Sequence, residues 1–190
     1  NKIKSIKTVL IVNYPGKKYL KKKKIKGIKL HNFNKIYKIK HNEIKFNKFN
    51  FDHELAILYS SGTTGKPKCI CHRSGGVLLQ HLKEHQLHCE VKPGDNVFYF
   101  TTCGWMMWNW LLTFLASKAS IVLFDGFPMY KKEDLLLKIA EDEKITLFGV
   151  SAKYIDQLRK ININVKSRFK LNKLKTICST GSPLSADNFQ

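Results

Sequence analysis

The sequence predicts an α/β fold with a largely parallel sheet and helices on both faces. Three observations carry that prediction. From Leu55 onward, short β-branched or aromatic runs alternate at least four times with amphipathic stretches, the pattern of strand–helix–strand units. The hydrophobic fraction is 43% over 190 residues, enough for one domain with a sizeable core. Three strand runs end in polar tips, at residues 60–68, 101–105 and 179–183, and in such sheets ligands bind beyond the C-terminal strand ends.

In chain order, residues 6–12 form a β-branched run expected as a strand, followed by a turn at Asn13, Tyr14, Pro15 and Gly16. Residues 17–50 are low in complexity, with lysines at each of positions 21–24, and are expected to be flexible; residues 36–39 could form an isolated strand. Residues 55–59 read as a strand, 60–68 as a polar loop and 69–72 as a second short strand. Ser74 is placed to cap a helix running to about His88, with Leu78 and Leu82 on one face. Pro93, Gly94 and Asp95 turn the chain into a strand at 96–100. An apolar, buried helix is expected at 108–117, a strand at 120–124 and an amphipathic helix at 133–143. A strand at 145–150, a helix at 152–160 and a strand at 174–178 follow, and Pro183 opens a further helix.

The formal charge of +20 suggests a polyanion partner until it is mapped along the chain. Residues 1–50 hold 16 Lys against Glu43 alone, whereas residues 51–190 hold 18 Lys and Arg against 13 acids. The excess is a solvated lysine run with no nucleic-acid reader pattern beside it, so neither nucleic acid nor membrane is expected as a partner. Five cysteines, an odd number, fit free thiols in a reducing compartment, and a cytosolic location is expected. The apolar run at 9–12 is too short for a signal-peptide core. The longest apolar stretch, 105–116, is broken by Asn109 and Thr113 and falls short of the ~20 residues that span a bilayer. Nothing in the pattern specifies an oligomeric state.

The densest chemistry lies in the loop Ser60, Ser61, Gly62, Thr63, Thr64, Gly65, Lys66, Pro67, Lys68. Glycines let a backbone approach closely, while N–H groups, hydroxyls and ammonium charges together suit a polyphosphate. It is not a Walker A loop. That pattern needs Gly, four intervening residues, Gly-Lys and then Ser or Thr, whereas here Ser60 and Pro67 stand in the first and last of those positions.

Residues 59–68 resemble the phosphate-binding motif of the adenylate-forming, or AMP-binding, enzymes, the superfamily of acyl-CoA synthetases. Residues 100–109, with Phe51, Asp52 and His53 and residues 123–126, are similar to the acetoacetate–CoA ligase branch. So are residues 179–185, where acetate-specific members carry Gly-Glu-Pro. The likeness covers about residues 51–190, which are expected as part of an adenylation domain, with residues 1–50 a strand plus the lysine-rich segment.

The resemblance implies attack of an acetoacetate carboxylate on the α-phosphorus of ATP, loss of pyrophosphate, then capture of the acyl-adenylate by coenzyme A. Ser60, Ser61, Gly62, Thr63, Thr64, Gly65 and Lys66 would cradle the β,γ-phosphates, Thr63 or Thr64 would approach Mg²⁺, and Thr63 and Lys68 would take the catalytic roles. Lys68 has a second reading as a strand-start residue whose stem covers apolar surface. Trp105, Met106 and Met107 would line the acyl pocket or, alternatively, pack in the core, the latter expected for Trp108 and Trp110. Thr180, Gly181, Ser182 and Pro183 would border acyl group and adenosine, or simply begin a helix.

Two zinc readings are set aside. His81, His85 and His88 share a helical face beside Cys89, and Cys69 and Cys71 precede His72, but neither has a four-ligand spacing. Interhelical or surface histidines and small strand thiols are expected instead. The chain opens on Asn1, not Met, and the family's ribose-binding acid, hinge and C-terminal lysine would fall beyond Gln190. An internal piece of a longer ligase is therefore expected, unable alone to form a thioester. The alternatives are another short-chain acyl-CoA synthetase, for acetate or propionate, and a truncated, non-catalytic remnant.

Overall fold

A computed structural model of the chain describes residues 4–12, 25–37, 43, 45–60 and 65–189. It divides into two compact units, Asn1–Lys48 and Phe49–Gln190. In the first, strand β1 (Thr8–Ile11) pairs in parallel with β2 (Lys29–Asn32), and α1 (Phe33–Tyr37) follows. The Asn32 carboxamide oxygen accepts from the Asn34 N–H at 2.9 Å, which starts the helix there. Ile36 and Tyr37, expected as part of a strand, therefore belong to α1; Lys38 and Ile39 lie outside the described residues, as do 13–24. Strand β2 has no local signal in its sequence because β1, some twenty residues earlier, is what makes it a strand.

The second unit holds the core. Strands β5 (Asn96–Tyr99), β6 (Ser120–Val122), β7 (Leu147–Ser151) and β8 (Thr176–Thr180) form a wholly parallel sheet in the order β6-β5-β7-β8. Side chains alternate between its faces. Val97, Tyr99 and Leu147 pack on one side with Trp110, Leu111 and Phe114 from α3 (Met106–Thr113) and the 3₁₀ turn after it. Phe98, Phe148 and Val150 pack on the other with Leu136 and Ala140 of α4 (Leu135–Asp142) and Tyr154 of α5 (Ala152–Lys160). The expected parallel sheet with helices on both faces is thus what forms. A short helix, α6 (Val165–Arg168), capped by the Asn164 side chain, was not foreseen in the pattern.

The N-terminal edge of this sheet is pinned electrostatically. Asp95 accepts the Lys92 N–H at 2.8 Å and the Lys175 ammonium at 2.9 Å. Burial pushes its carboxyl up, but those two partners outweigh burial and hold it below its ordinary value.

Helix α2 (Ser74–Lys83) runs straight into a π-helical turn, Glu84–His88. Ser74 does not cap it. It is the first helical residue, and its hydroxyl donates to the His53 carbonyl at 2.9 Å while Arg73 occupies the cap position. The buried face carries histidines, with Leu78 and Leu79 exposed. The His81 Nδ1–H meets the Thr113 hydroxyl at 3.0 Å, that hydroxyl being committed as donor to the Asn109 carbonyl. The His85 ring stacks on Phe114 with centroids 3.5 Å apart and is edge-on to Trp110. The π turn breaks the helical spacing and leaves His88 exposed.

Candidate functional site

Strands β3 (Glu54–Ser60) and β4 (Lys68–Arg73) are antiparallel and make a two-stranded sheet of their own. This corrects the expectation that the polar loop ends a strand of the parallel sheet. Only seven residues separate the two strands, whereas a parallel return needs a dozen or more, so a hairpin is the available geometry. The register sets Ser60 opposite Lys68 and Tyr59 opposite Cys69. A hydroxyl and an ammonium group therefore flank the mouth of the loop. Gly65 has φ +124°, and Lys66 and Lys68 are exposed. Ser61, Gly62, Thr63 and Thr64 lie outside the described residues. The hairpin is tied to α2 through the Ser74 and Gly75 N–H groups, which donate to the His53 and Phe51 carbonyls.

The other two polar tips lie where the fold class puts them, beyond the C-terminal ends of β5 and β8, on either side of β7. One contact joins these strands. The Tyr99 and Thr180 hydroxyl oxygens are 2.8 Å apart, although the residues are 81 positions apart in sequence. The intervening strand permits this because it carries Gly149, which pairs with Tyr99 in the ladder. A Cβ there would lie 2.0 Å from the Tyr99 ring, so only glycine lets the ring cross β7. Neither Tyr99 nor Gly149 stood out in the motifs. The one signal was an isolated glycine inside the apolar run 147–150, the mark of a close backbone approach.

Around this contact the expected pocket residues separate. Trp105, at the N-cap of α3, and Met106 are 66% and 43% exposed, which rules out core packing for both. Met107 packs against the core cluster with Trp108, and Trp110 is buried within it. Gly181 leaves β8 with φ +92°, a left-handed conformation that favours glycine, and Ser182 and Pro183 are exposed. Pro183 does not open a helix. The next helical residues are the 3₁₀ turn Ala186–Phe189, so the tip is an open bend rather than a helix N-terminus. Cys69 and Cys71 lie exposed on β4, and the five cysteines are free thiols. Among the described residues no helix is long and apolar enough to cross a membrane.

The family described as AMP-binding enzyme matches residues 2–189, a range that takes in the lysine-rich segment as well as the sheet. The chain is 51% identical over 144 residues to an acetoacetyl-coenzyme A synthetase of Rhizobium meliloti (strain 1021), covering 76% of this chain and 22% of that protein. It is 45% identical over 148 residues to the acetoacetyl-CoA synthetase of Gallus gallus, covering 78% and 22%. Among solved structures, an acetoacetyl-CoA synthetase from Streptomyces lividans aligns with a TM-score of 0.82 and 37% identity, over 96% of this chain and 27% of that one. The chain thus spans little more than a fifth of the length of these curated relatives.

Proposed function

Since this chain belongs to the AMP-binding enzymes, we propose that it is part of an acetoacetate–CoA ligase, which activates acetoacetate with ATP and passes the acyl group to coenzyme A. The observation that carries this reading is the shared edge of the parallel sheet, where the exposed Trp105 and Met106 stand with the open Thr180–Pro183 tip. Relatives named for acetoacetyl-CoA synthesis, 51% and 45% identical, support the substrate.

A carboxylate resists nucleophiles and a mixed anhydride does not, so ATP is spent to make acetoacetyl-AMP and pyrophosphate. The thiol of coenzyme A then displaces AMP. The protein's part in the first step is positioning and charge neutralisation. Ser60, Gly65, Lys66 and Lys68 fit that part: their hydroxyl, left-handed backbone and two exposed ammonium groups gather at the hairpin loop. Lys68 and Thr63 are assigned the catalytic contacts, and Ser61, Gly62 and Thr64 complete the cradle. Among the described residues no group of three or more His, Cys, Asp or Glu is arranged to hold a metal, so Mg²⁺ would arrive with the nucleotide and meet Thr63 or Thr64. When bound, the ion supplies charge neutralisation across the phosphates. Trp105, Met106 and Thr180 border the acyl group, Met107 backs them from the core, and Gly181, Ser182 and Pro183 border the nucleotide. Residues 51–190 are assigned to the adenylation domain, and the enzyme to the cytosol.

Pyrophosphate release by the complete protein, measured with acetoacetate, acetate and propionate in turn, tests this. Acetoacetate is expected to give the highest kcat/KM. A preference for acetate or propionate would overturn the assignment in favour of another short-chain synthetase.

A further inference from the structure

Tyr99 is 5% exposed, and its ring is held over Gly149 and edge-on to Trp110, with centroids 5.6 Å apart. Among the described residues its hydroxyl has one hydrogen-bond partner, Thr180 Oγ1. Two hydroxyls share that bond, and each has a single proton. If Thr180 donated, the Tyr99 proton would be left facing the aromatic cluster and the Cys178 thiol, a weak acceptor, which is the costly arrangement. Thr180 is exposed and can direct its own proton outward. Tyr99 is therefore the donor and Thr180 Oγ1 the acceptor. Burial raises the Tyr99 pKa despite the Thr180 contact, which keeps the donor protonated.

With its lone pair engaged from beneath, the Thr180 hydroxyl presents its hydrogen to whatever occupies the open bend at Gly181. We infer that Tyr99 is a positioning residue that fixes Thr180 as a hydrogen-bond donor, so that this edge of the sheet selects acyl acids bearing an acceptor oxygen, the keto group of a β-keto acid, over their plain aliphatic counterparts. This rests on the ligase reading above and adds a specificity determinant to it. Gly149 belongs to the same device, because a side chain there would displace the ring.

Butyrate has the same chain length as acetoacetate, with a methylene in place of the carbonyl, so the ratio of the two kcat/KM values isolates the effect. In the complete protein, Tyr99→Phe and Thr180→Val are each expected to lower the acetoacetate-to-butyrate ratio about 5–10-fold, the scale of one lost hydrogen bond. Thr180→Ser, which keeps the hydroxyl, should hold the ratio within about twofold. KM for ATP should stay unchanged in all three. An unchanged ratio in Tyr99→Phe overturns the inference, as does an equal loss on both acids, which marks a merely structural tyrosine. If Tyr99→Phe fails to fold, the contrast between Thr180→Val and Thr180→Ser decides alone, and equal ratios in those two overturn the inference. A wild-type protein that turns over acetate but not acetoacetate removes the ligase reading and this inference together.

Discussion

The β3–β4 hairpin and the parallel sheet belong to one compact unit but are built on opposite terms. In the sheet, Val97 and Phe98 are fully buried, and helices cover both faces. In the hairpin, Ile57 and Tyr59 are 58% and 72% exposed, and among the described residues the two strands pair only with each other. The proposed phosphate contacts lie on the hairpin and the proposed acyl contacts on the sheet. The two proposed ligands differ as well. A small keto acid is distinguished by one oxygen, which calls for a donor fixed by a close-packed strand, whereas a polyphosphate offers many equivalent oxygens to any nearby cation or N–H group.

The largest test of this contrast is Phe98→Ala. Its side chain is completely buried in the second strand of the sheet, and truncation should cost about 3–5 kcal/mol in urea unfolding. A cost below about 1 kcal/mol would erase the distinction from the hairpin. The next effect is acid-dependent. Burial first, then the neighbouring His81, lowers the His85 pKa from 6.5 to about 4. Below pH 6.5 the unfolded chain takes up this proton before the folded one does. Stability is therefore complete above about pH 6.5 and falls as the pH drops towards 4, by up to about 3 kcal/mol. His85→Phe should flatten that slope, and an unaltered slope would place the acid sensitivity elsewhere. Ser151→Ala removes the cap of α5, in which the Ser151 hydroxyl oxygen accepts the Tyr154 N–H at 3.2 Å; about 1 kcal/mol is expected. The smallest effect belongs to the hairpin. Tyr59→Ala should alter stability by no more than about 0.5 kcal/mol, and a loss of several kcal/mol would show that this exposed face is covered in solution.

Much of this fold is legible from local pattern. Helix α5 occupies residues 152–160 as the periodicity predicts, and β5 and β7 follow apolar runs bounded by turn residues. What escaped the sequence is set by distance along the chain. Whether β3 joins the main sheet or pairs only with β4 is a question of partner, and a strand's own residues encode a partner weakly. Ser74 has a cap's composition, but the nearby His53 carbonyl took its hydroxyl. The π turn at Glu84–His88 left no mark that residue propensities register. The candidate site divides likewise. Its loops could be picked out as motifs, but Tyr99 and Gly149 acquire meaning only when Thr180 arrives on a strand 81 residues from Tyr99.

That late arrival matters for assembly. In the order β6-β5-β7-β8, the first three strands can close on one another before β8 has left the ribosome, and β8 then adds at the outer edge of β7. Until it does, the Tyr99 hydroxyl lacks the partner that defines its direction and the bend at Gly181 has no base. A nascent sheet can thus pack β5, β6 and β7 while the Tyr99–Thr180 contact is still unmade, and that contact forms in one strand-docking step rather than gradually.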